Sequence, residues 1–86
     1  MKLVFTETAW KDYLWFQKSD RKLLKRINSL IKSALRTPSE GPGKPEYLKA
    51  DLSGYWARRI NSEHRLVYRF TEKELIVISC RYHYHK

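Results

Sequence analysis

The last third of the chain contains three consecutive segments in which apolar and polar residues alternate, and this pattern constrains the fold more than any other. The segments span residues 55–60, 65–71 and 74–82, and short polar turns separate them. Successive side chains of a β-strand point to opposite faces, so each segment predicts a strand buried mainly on one face. Short turns join antiparallel neighbours. The three segments therefore predict an antiparallel meander.

Two helices are predicted before this meander. Residues 7–18 carry aromatic and apolar side chains at helical spacing, and a second apolar stripe covers residues 23–35. Ser19 or Asp20 can cap the second helix between them. Residues 2–6 form a further short β-prone run. The order of elements predicts an α+β fold, with two N-terminal helices packed on one face of a twisted antiparallel β-sheet.

The alternation also predicts which face of the sheet the helices cover. Alternate residues of these strands form two sets, or parities, one for each face of the sheet. One parity is almost entirely apolar: Trp56, Ile60, Leu66, Tyr68, Phe70, Ile76, Ile78 and Cys80, continued by Tyr82. The other parity carries Arg59, Arg65, Arg81 and His83. With a three-residue loop at 61–63, Arg59 and Arg65 lie directly across from each other, a destabilising like-charge pair. An anion bound between them would offset that cost, so the second parity predicts an open, phosphate-binding face.

Charge and cysteine content indicate the class of partner and the compartment. Eighteen Lys and Arg residues against nine Asp and Glu residues give a net charge of +9, which favours a polyanionic partner such as nucleic acid. The basic residues of the second helix are compatible with a solvated face or with nucleic-acid contact. A single cysteine, Cys80, cannot form an internal disulfide, and no apolar run approaches membrane length. We expect one domain over residues 1–86, located in the cytoplasm.

The residues offer one plausible catalytic set and one poor metal site. His83 and His85 are two imidazoles where a zinc site needs three or four ligands, so we expect neither a metal nor another cofactor. RNA cleavage without metal needs a base, an acid and cations that stabilise charge on phosphorus. Glu46 is the candidate base and His83 the candidate acid, while the candidate cations are Lys49, Arg59, Arg65 and Arg81. The same residues could instead form a surface carboxylate and a passive RNA-binding face.

Three stretches of the sequence also resemble a known family. They are Trp10-Lys-Asp-Tyr-Leu-Trp-Phe-Gln17, the run RTPSEGPGKPEYLKADLSGYWARRINSEHRLVY at 36–68, and CRYHY at 80–84. With these motifs in register over nearly its whole length, the chain resembles the YoeB toxins of the RelE/ParE superfamily from bacterial toxin–antitoxin modules. His85 and Lys86 extend beyond the usual CRYHY ending.

The resemblance implies a ribosome-dependent endonuclease that cuts mRNA in the ribosomal A site. It implies that Glu46 is the general base, His83 the general acid and Arg65 the stabiliser of the transition state. Lys49 and Arg59 would assist, and Tyr84 would orient the substrate, although its parity is that of the covered face. It further implies a homodimer and an acidic, partly disordered YefM-like antitoxin. The toxin would contact operator DNA only indirectly, through the complex with that antitoxin. The alternatives are a ParE-like gyrase inhibitor and a non-catalytic RNA- or ribosome-binding module.

Overall fold

The computed structural model describes residues 1–49 and 53–82, which form two helices and a five-stranded sheet. The elements in chain order are β1 (Lys2–Phe5), α1 (Glu7–Ser19), α2 (Arg21–Arg36), β2 (Glu46–Tyr47), β3 (Trp56–Arg59), β4 (Arg65–Phe70) and β5 (Glu74–Ser79). The spatial order of the strands is β1-β5-β4-β3-β2. The predicted α+β architecture is confirmed. One pair departs from it, because β1 runs parallel to β5 and the long intervening chain permits that crossover.

Side-chain caps fix where both helices begin. The Thr6 hydroxyl accepts a hydrogen bond from the Ala9 amide (3.1 Å) and donates one to the Ile78 carbonyl (2.9 Å), which ties the start of α1 to β5. The carboxylate of Asp20 accepts from the amide of Leu23 (3.1 Å) at the start of α2. Of the two candidate caps, Asp20 is therefore the one used, and such caps each contribute about 1 kcal/mol.

The sheet has one face covered by the helices and one face without them. The main core lies on the covered face and combines side chains from both helices and the longer strands: Ala9, Phe16, Ile27, Leu30, Ile31, Ala34, Ile60, Leu66, Tyr68, Leu75, Val77 and Cys80. A smaller cluster on the opposite face holds Leu48, Ala57 and Val67 with Tyr55 and Ile78, and no helix residue belongs to it. We call this second side the helix-free face.

The predicted parity of β5 is wrong, and a β-bulge explains the error. Leu75 and Val77 pack in the core, whereas Ile78 packs on the helix-free face. In the pairing with β4, Val67 lies opposite Ser79 while its neighbour Tyr68 lies opposite Val77, so the register shifts by one residue there. One extra residue in a strand exchanges the two faces beyond it. Alternation alone could not place the exchange.

The chain also leaves β5 earlier than predicted. The strand ends at Ser79, and the following Cys80 is fully buried in the core as expected. Burial raises the pKa of the Cys80 thiol to about 12, with a further contribution from the negative charge of Asp12. Tyr82 does not reach the core: its side chain is 48% exposed and its φ of 60° lies in the left-handed region, rare for non-glycine residues. The predicted core position of Tyr82 is wrong.

Within the described residues, no helix is both long enough and apolar enough to cross a membrane.

Candidate active site

Strand register places the candidate base on the helix-free face. Glu46, the first residue of β2, pairs with Ala57 of β3, which in turn pairs with Val67 of β4. Directly opposed residues of neighbouring strands share one face of a sheet. Ala57 and Val67 belong to the cluster on the helix-free face, so Glu46 lies on that face too, where it is exposed.

Two arginines lie on the same face at the adjoining end of the sheet. Arg59 and Arg65 form a directly opposed pair, which confirms the register expected from a three-residue loop. They lie two residues from Ala57 and Val67 respectively, and therefore share their face. Arg59 is the diagonal neighbour of Glu46, a separation of roughly 7–8 Å that long side chains can span. One carboxylate residue and two arginines thus share this region of the helix-free face, which we call the Glu46–Arg65 site.

The hairpin between β3 and β4 holds Arg65 in a fixed orientation. Its Nη1 donates to the backbone carbonyls of Asn61 (2.7 Å) and His64 (3.0 Å). The Asn61 side chain closes the loop by accepting from the amides of Glu63 and His64. Two bonds through one nitrogen fix the plane of a guanidinium group, and a planar fork in fixed orientation suits recognition of a phosphate.

Arg58 organises the loop that leads to Glu46. Its side chain is fully buried, and each of its five N–H donors is used: Nε bonds to Tyr68 Oη, Nη1 to Ser33 Oγ and the Pro42 carbonyl, and Nη2 to the carbonyls of Thr37 and Glu40. None of these five acceptors is a carboxylate, so hydroxyl and carbonyl dipoles hold the guanidinium in place. The Tyr68 hydroxyl in turn donates a hydrogen bond to the Pro38 carbonyl, and burial raises the pKa of Tyr68.

Glycines let this loop lie directly against Arg58. Gly43 has a φ of 87°, and a Cβ there would come within 2.9 Å of Leu30 and 3.1 Å of Arg58 Cβ. Its carbonyl accepts from the Arg59 amide (2.7 Å), so the loop is fastened to β3 just before β2 begins. Arg58 was not predicted as a functional or structural residue from the sequence. The signal for it was an arginine at a position of the otherwise apolar parity of β3.

The remaining sequence candidates fall into three situations. Lys49 is exposed, two residues beyond β2. The Arg81 guanidinium stacks on Trp15 of α1 (3.8 Å to the ring centre), a residue that packs against the main core. Its predicted placement on the helix-free face is therefore wrong, because the alternation ends with β5. His83 and Tyr84 lie outside the described residues, so their predicted roles stay predictions.

His64 is a further residue that the sequence reasoning missed. Its ring is 4% exposed and packs edge-on against Phe16 of α1, with ring centres 5.0 Å apart. Its Nδ1 accepts a hydrogen bond from the Tyr82 amide (2.7 Å). Its position directly before Arg65 was the only sequence signal.

Among residues 1–49 and 53–82, no three His, Cys, Asp or Glu side chains are grouped so as to hold a metal ion.

Two helices on one face of such a sheet form the fold of the small toxins of the RelE/ParE type, to which the YoeB/ParE toxin from Agrobacterium tumefaciens belongs. The family model for the YoeB-like toxin of bacterial type II toxin–antitoxin systems matches residues 5–84. The chain therefore belongs to the YoeB-like toxins.

Individual proteins agree with this assignment. Toxin YoeB of Synechocystis is 65% identical over the full length of both chains. The YoeB/ParE toxin from Agrobacterium tumefaciens has a solved structure that superposes with a TM-score of 0.94 at 52% identity, covering 98% of this chain and 100% of that one. The YoeB dimer from Staphylococcus aureus superposes with a TM-score of 0.91 at 48% identity over 98% of each chain, and a YoeB–YefM heterotetramer from the same organism has also been solved.

Proposed function

We propose that this toxin is a ribosome-dependent endoribonuclease that cuts mRNA in the ribosomal A site by acid–base chemistry without a metal. The observation that carries the proposal is that Glu46, Arg59 and Arg65 lie together on the helix-free face of the sheet. Membership of the YoeB-like toxins supports it. The net charge of +9 favours approach to ribosomal RNA and mRNA.

The proposed reaction is an attack of a ribose 2′-hydroxyl on the neighbouring phosphorus. Glu46 takes the 2′-hydroxyl proton, and the oxygen forms a new bond to phosphorus. The bond from phosphorus to the 5′-oxygen breaks, and His83 donates a proton to that oxygen. The products are a 2′,3′-cyclic phosphate, open to hydrolysis to a 3′-phosphate, and a 5′-hydroxyl. Tyr84 would orient the substrate.

Charge stabilisation in this reaction falls to the cations of the site. The phosphorane-like transition state carries more negative charge than the bound phosphate, so fixed cations favour it over the ground state. Arg65 is the best placed because two backbone carbonyls fix its guanidinium, and Arg59 lies directly opposite. Lys49 would assist from the segment after β2. A phosphate between the arginines would also relieve their mutual repulsion.

We further infer an antitoxin of the YefM type and a homodimer as partners. The supporting observations are the S. aureus YoeB–YefM heterotetramer and YoeB dimer, together with the basic charge, which suits an acidic, partly disordered chain. An apolar hollow of about 350 Å³ between β1 and the helices offers contact area. In it Trp10 is 49% exposed, whereas the other aromatic residues of α1 are half-buried (Tyr13, Trp15) or fully buried (Phe16).

Cleavage on programmed ribosomes tests the proposed activity. Primer extension on a defined mRNA with stalled ribosomes is expected to show a cut within the A-site codon that requires both the ribosome and the toxin. Glu46→Gln keeps the shape of the side chain but removes the base, and should lower the single-turnover rate by about 10²- to 10⁴-fold. Glu40→Gln, an exposed carboxylate in the preceding loop, serves as the control for charge.

Two outcomes would reject this proposal in favour of its rivals. Stoichiometric inhibition of DNA supercoiling by gyrase, with no mRNA cut, would indicate the ParE-like activity. Undiminished cutting or toxicity in Glu46→Gln, together with loss of both after charge reversal of basic residues, would indicate a binding module.

A further inference from the structure

The chain between β5 and residue 83 is held by two side-chain contacts and one backbone hydrogen bond, beyond the end of the strand ladder. The Cys80 amide donates to the carboxylate of Asp12 on α1 (3.0 Å). Two residues later, the Tyr82 amide donates to Nδ1 of His64 (2.7 Å), and the Tyr82 carbonyl accepts from the Arg65 amide (3.1 Å). The amide and the carbonyl of Tyr82 are thus both bound, by His64 and Arg65 respectively. We call this arrangement the Tyr82 clasp.

The clasp requires a neutral imidazole. A backbone amide can only donate, so the Nδ1 that accepts from Tyr82 carries no proton, and the ring hydrogen must be on Nε2. Nε2 lies 3.4 Å from a carboxylate oxygen of Glu63, the natural acceptor for it. Protonation of Nδ1 would place two donors against each other and break the clasp.

We propose that His64 is a positioning residue that, through the Tyr82 clasp, holds the Tyr82 backbone against Arg65, directly before the residue proposed as the general acid. Residue 83 is bonded to the carbonyl carbon of Tyr82, and that carbonyl is held by the backbone of Arg65. Fixing Tyr82 therefore fixes the starting point of the segment that carries the acid. The inference rests on the proposed function, in which His83 protonates the leaving oxygen.

Several charged groups face His64 and set the pH at which the clasp opens. Burial against α1 lowers the pKa of His64 below its usual 6.5, and the positive charge of Arg81 lowers it further. The negative charges of Glu63 in the hairpin, Asp20 before α2 and Asp12 on α1 raise it. Since burial dominates, His64 is neutral and the clasp closed at pH 7. The stabilisation is complete above pH 6.5 and is lost as the pH falls through the lowered pKa of the folded protein.

Two variants separate the hydrogen bond from the bulk of the ring. His64→Asn places an amide oxygen near the position of Nδ1, keeps the acceptor and cannot titrate. His64→Leu fills the apolar site but removes the acceptor. In single-turnover cleavage at saturating ribosomes, we expect His64→Leu to be about 10- to 100-fold slower with ribosome binding retained, because a small displacement of a reacting group is costly. His64→Asn should cleave within about threefold of the wild-type rate.

The pH profile distinguishes positioning from general stability. The wild-type cleavage rate should fall as the pH is lowered and His64 becomes protonated. This fall should be absent in His64→Asn. In Glu63→Gln the fall should occur at a lower pH, because the negative charge that raises the pKa of His64 is gone. Equal rates for wild type and His64→Leu, or an identical acid limb in His64→Asn, would overturn the proposal.

Amide exchange tests the clasp without any nuclease activity. By NMR, the Tyr82 amide should exchange slowly at pH 7.5 in the wild type and in His64→Asn, and much faster in His64→Leu. Fast exchange in the wild type would overturn the clasp itself. A wild-type protein that protects Tyr82 but cuts no mRNA would refute the proposed function and, with it, the positioning role, leaving the clasp as a structural contact only.

Discussion

Replacing Arg65 with methionine is expected to lower the single-turnover rate of mRNA cleavage by about 10³-fold. Methionine keeps much of the volume of the side chain but removes the charge and all five donors. Because Arg65 is fixed by the carbonyls of Asn61 and His64, its guanidinium needs no reorganisation when charge develops on phosphorus. The loss should appear mainly in the rate at saturating ribosomes and much less in ribosome affinity.

Arg69 provides a matched control on the same strand. It lies on the same face of β4 as Arg65 but four residues further along, roughly 13 Å away, where it pairs with Ile76. Arg69→Met removes the same charge and should change the rate by no more than a few-fold. Arg65→Lys should fall between, because an ammonium keeps the charge but not the planar fork. Equal effects of Arg65→Met and Arg69→Met would mean that net charge matters and the Glu46–Arg65 site does not.

Replacing Arg58 with methionine is expected to destabilise the protein by about 3 kcal/mol or more. The substitution removes five hydrogen bonds at once and leaves Tyr68 Oη and Ser33 Oγ without their donor. It also frees a loop whose glycine backbone lies against the arginine stem. Since small domains have only roughly 5–15 kcal/mol of stability, this is a large share. Thermal unfolding should show a fall in Tm of roughly 12–24 °C.

Arg59→Met is the control for this stability prediction. The substitution is the same, the residue is the next in β3, and its side chain is exposed. Its effect should stay within about 0.5 kcal/mol, with the sign tending to stabilisation because a like-charge pair with Arg65 is removed. A Tm for Arg58→Met close to that of Arg59→Met would show that the five bonds contribute little.

The sequence was sufficient for the parts of the fold that depend on local patterns. Helical spacing and capping residues predicted α1 and α2, including a restart at Ser19 or Asp20, of which the structure uses Asp20. The length of the polar loop at 61–63 fixed the register of β3 and β4, and therefore the opposition of Arg59 and Arg65. These features were accessible because each depends on residues close together in the chain.

The features that were missed depend on contacts between distant segments. The bulge at Val67 and Tyr68 reverses the faces of β5, and the parallel partner of β1 is β5, at the other end of the described chain. The burial of Arg58 is intelligible only once five acceptors from α2, β4 and the loop surround it. His64 gains its role from Tyr82, 18 residues away, after β5 has ended. No local pattern encodes such partners.

A single 2′-deoxyribonucleotide in the mRNA tests the central claim most directly. The substrate would carry the deoxy sugar at the nucleotide 5′ to the scissile phosphate in the A-site codon, with all other sugars unchanged and the ribosome programmed identically. Because the 2′-hydroxyl is the proposed nucleophile, cutting at that phosphate should disappear, while the all-ribose mRNA should yield 5′-hydroxyl and 2′,3′-cyclic phosphate ends. Cutting of the deoxy substrate at the same phosphate, or a 5′-phosphate on the product, would contradict the mechanism.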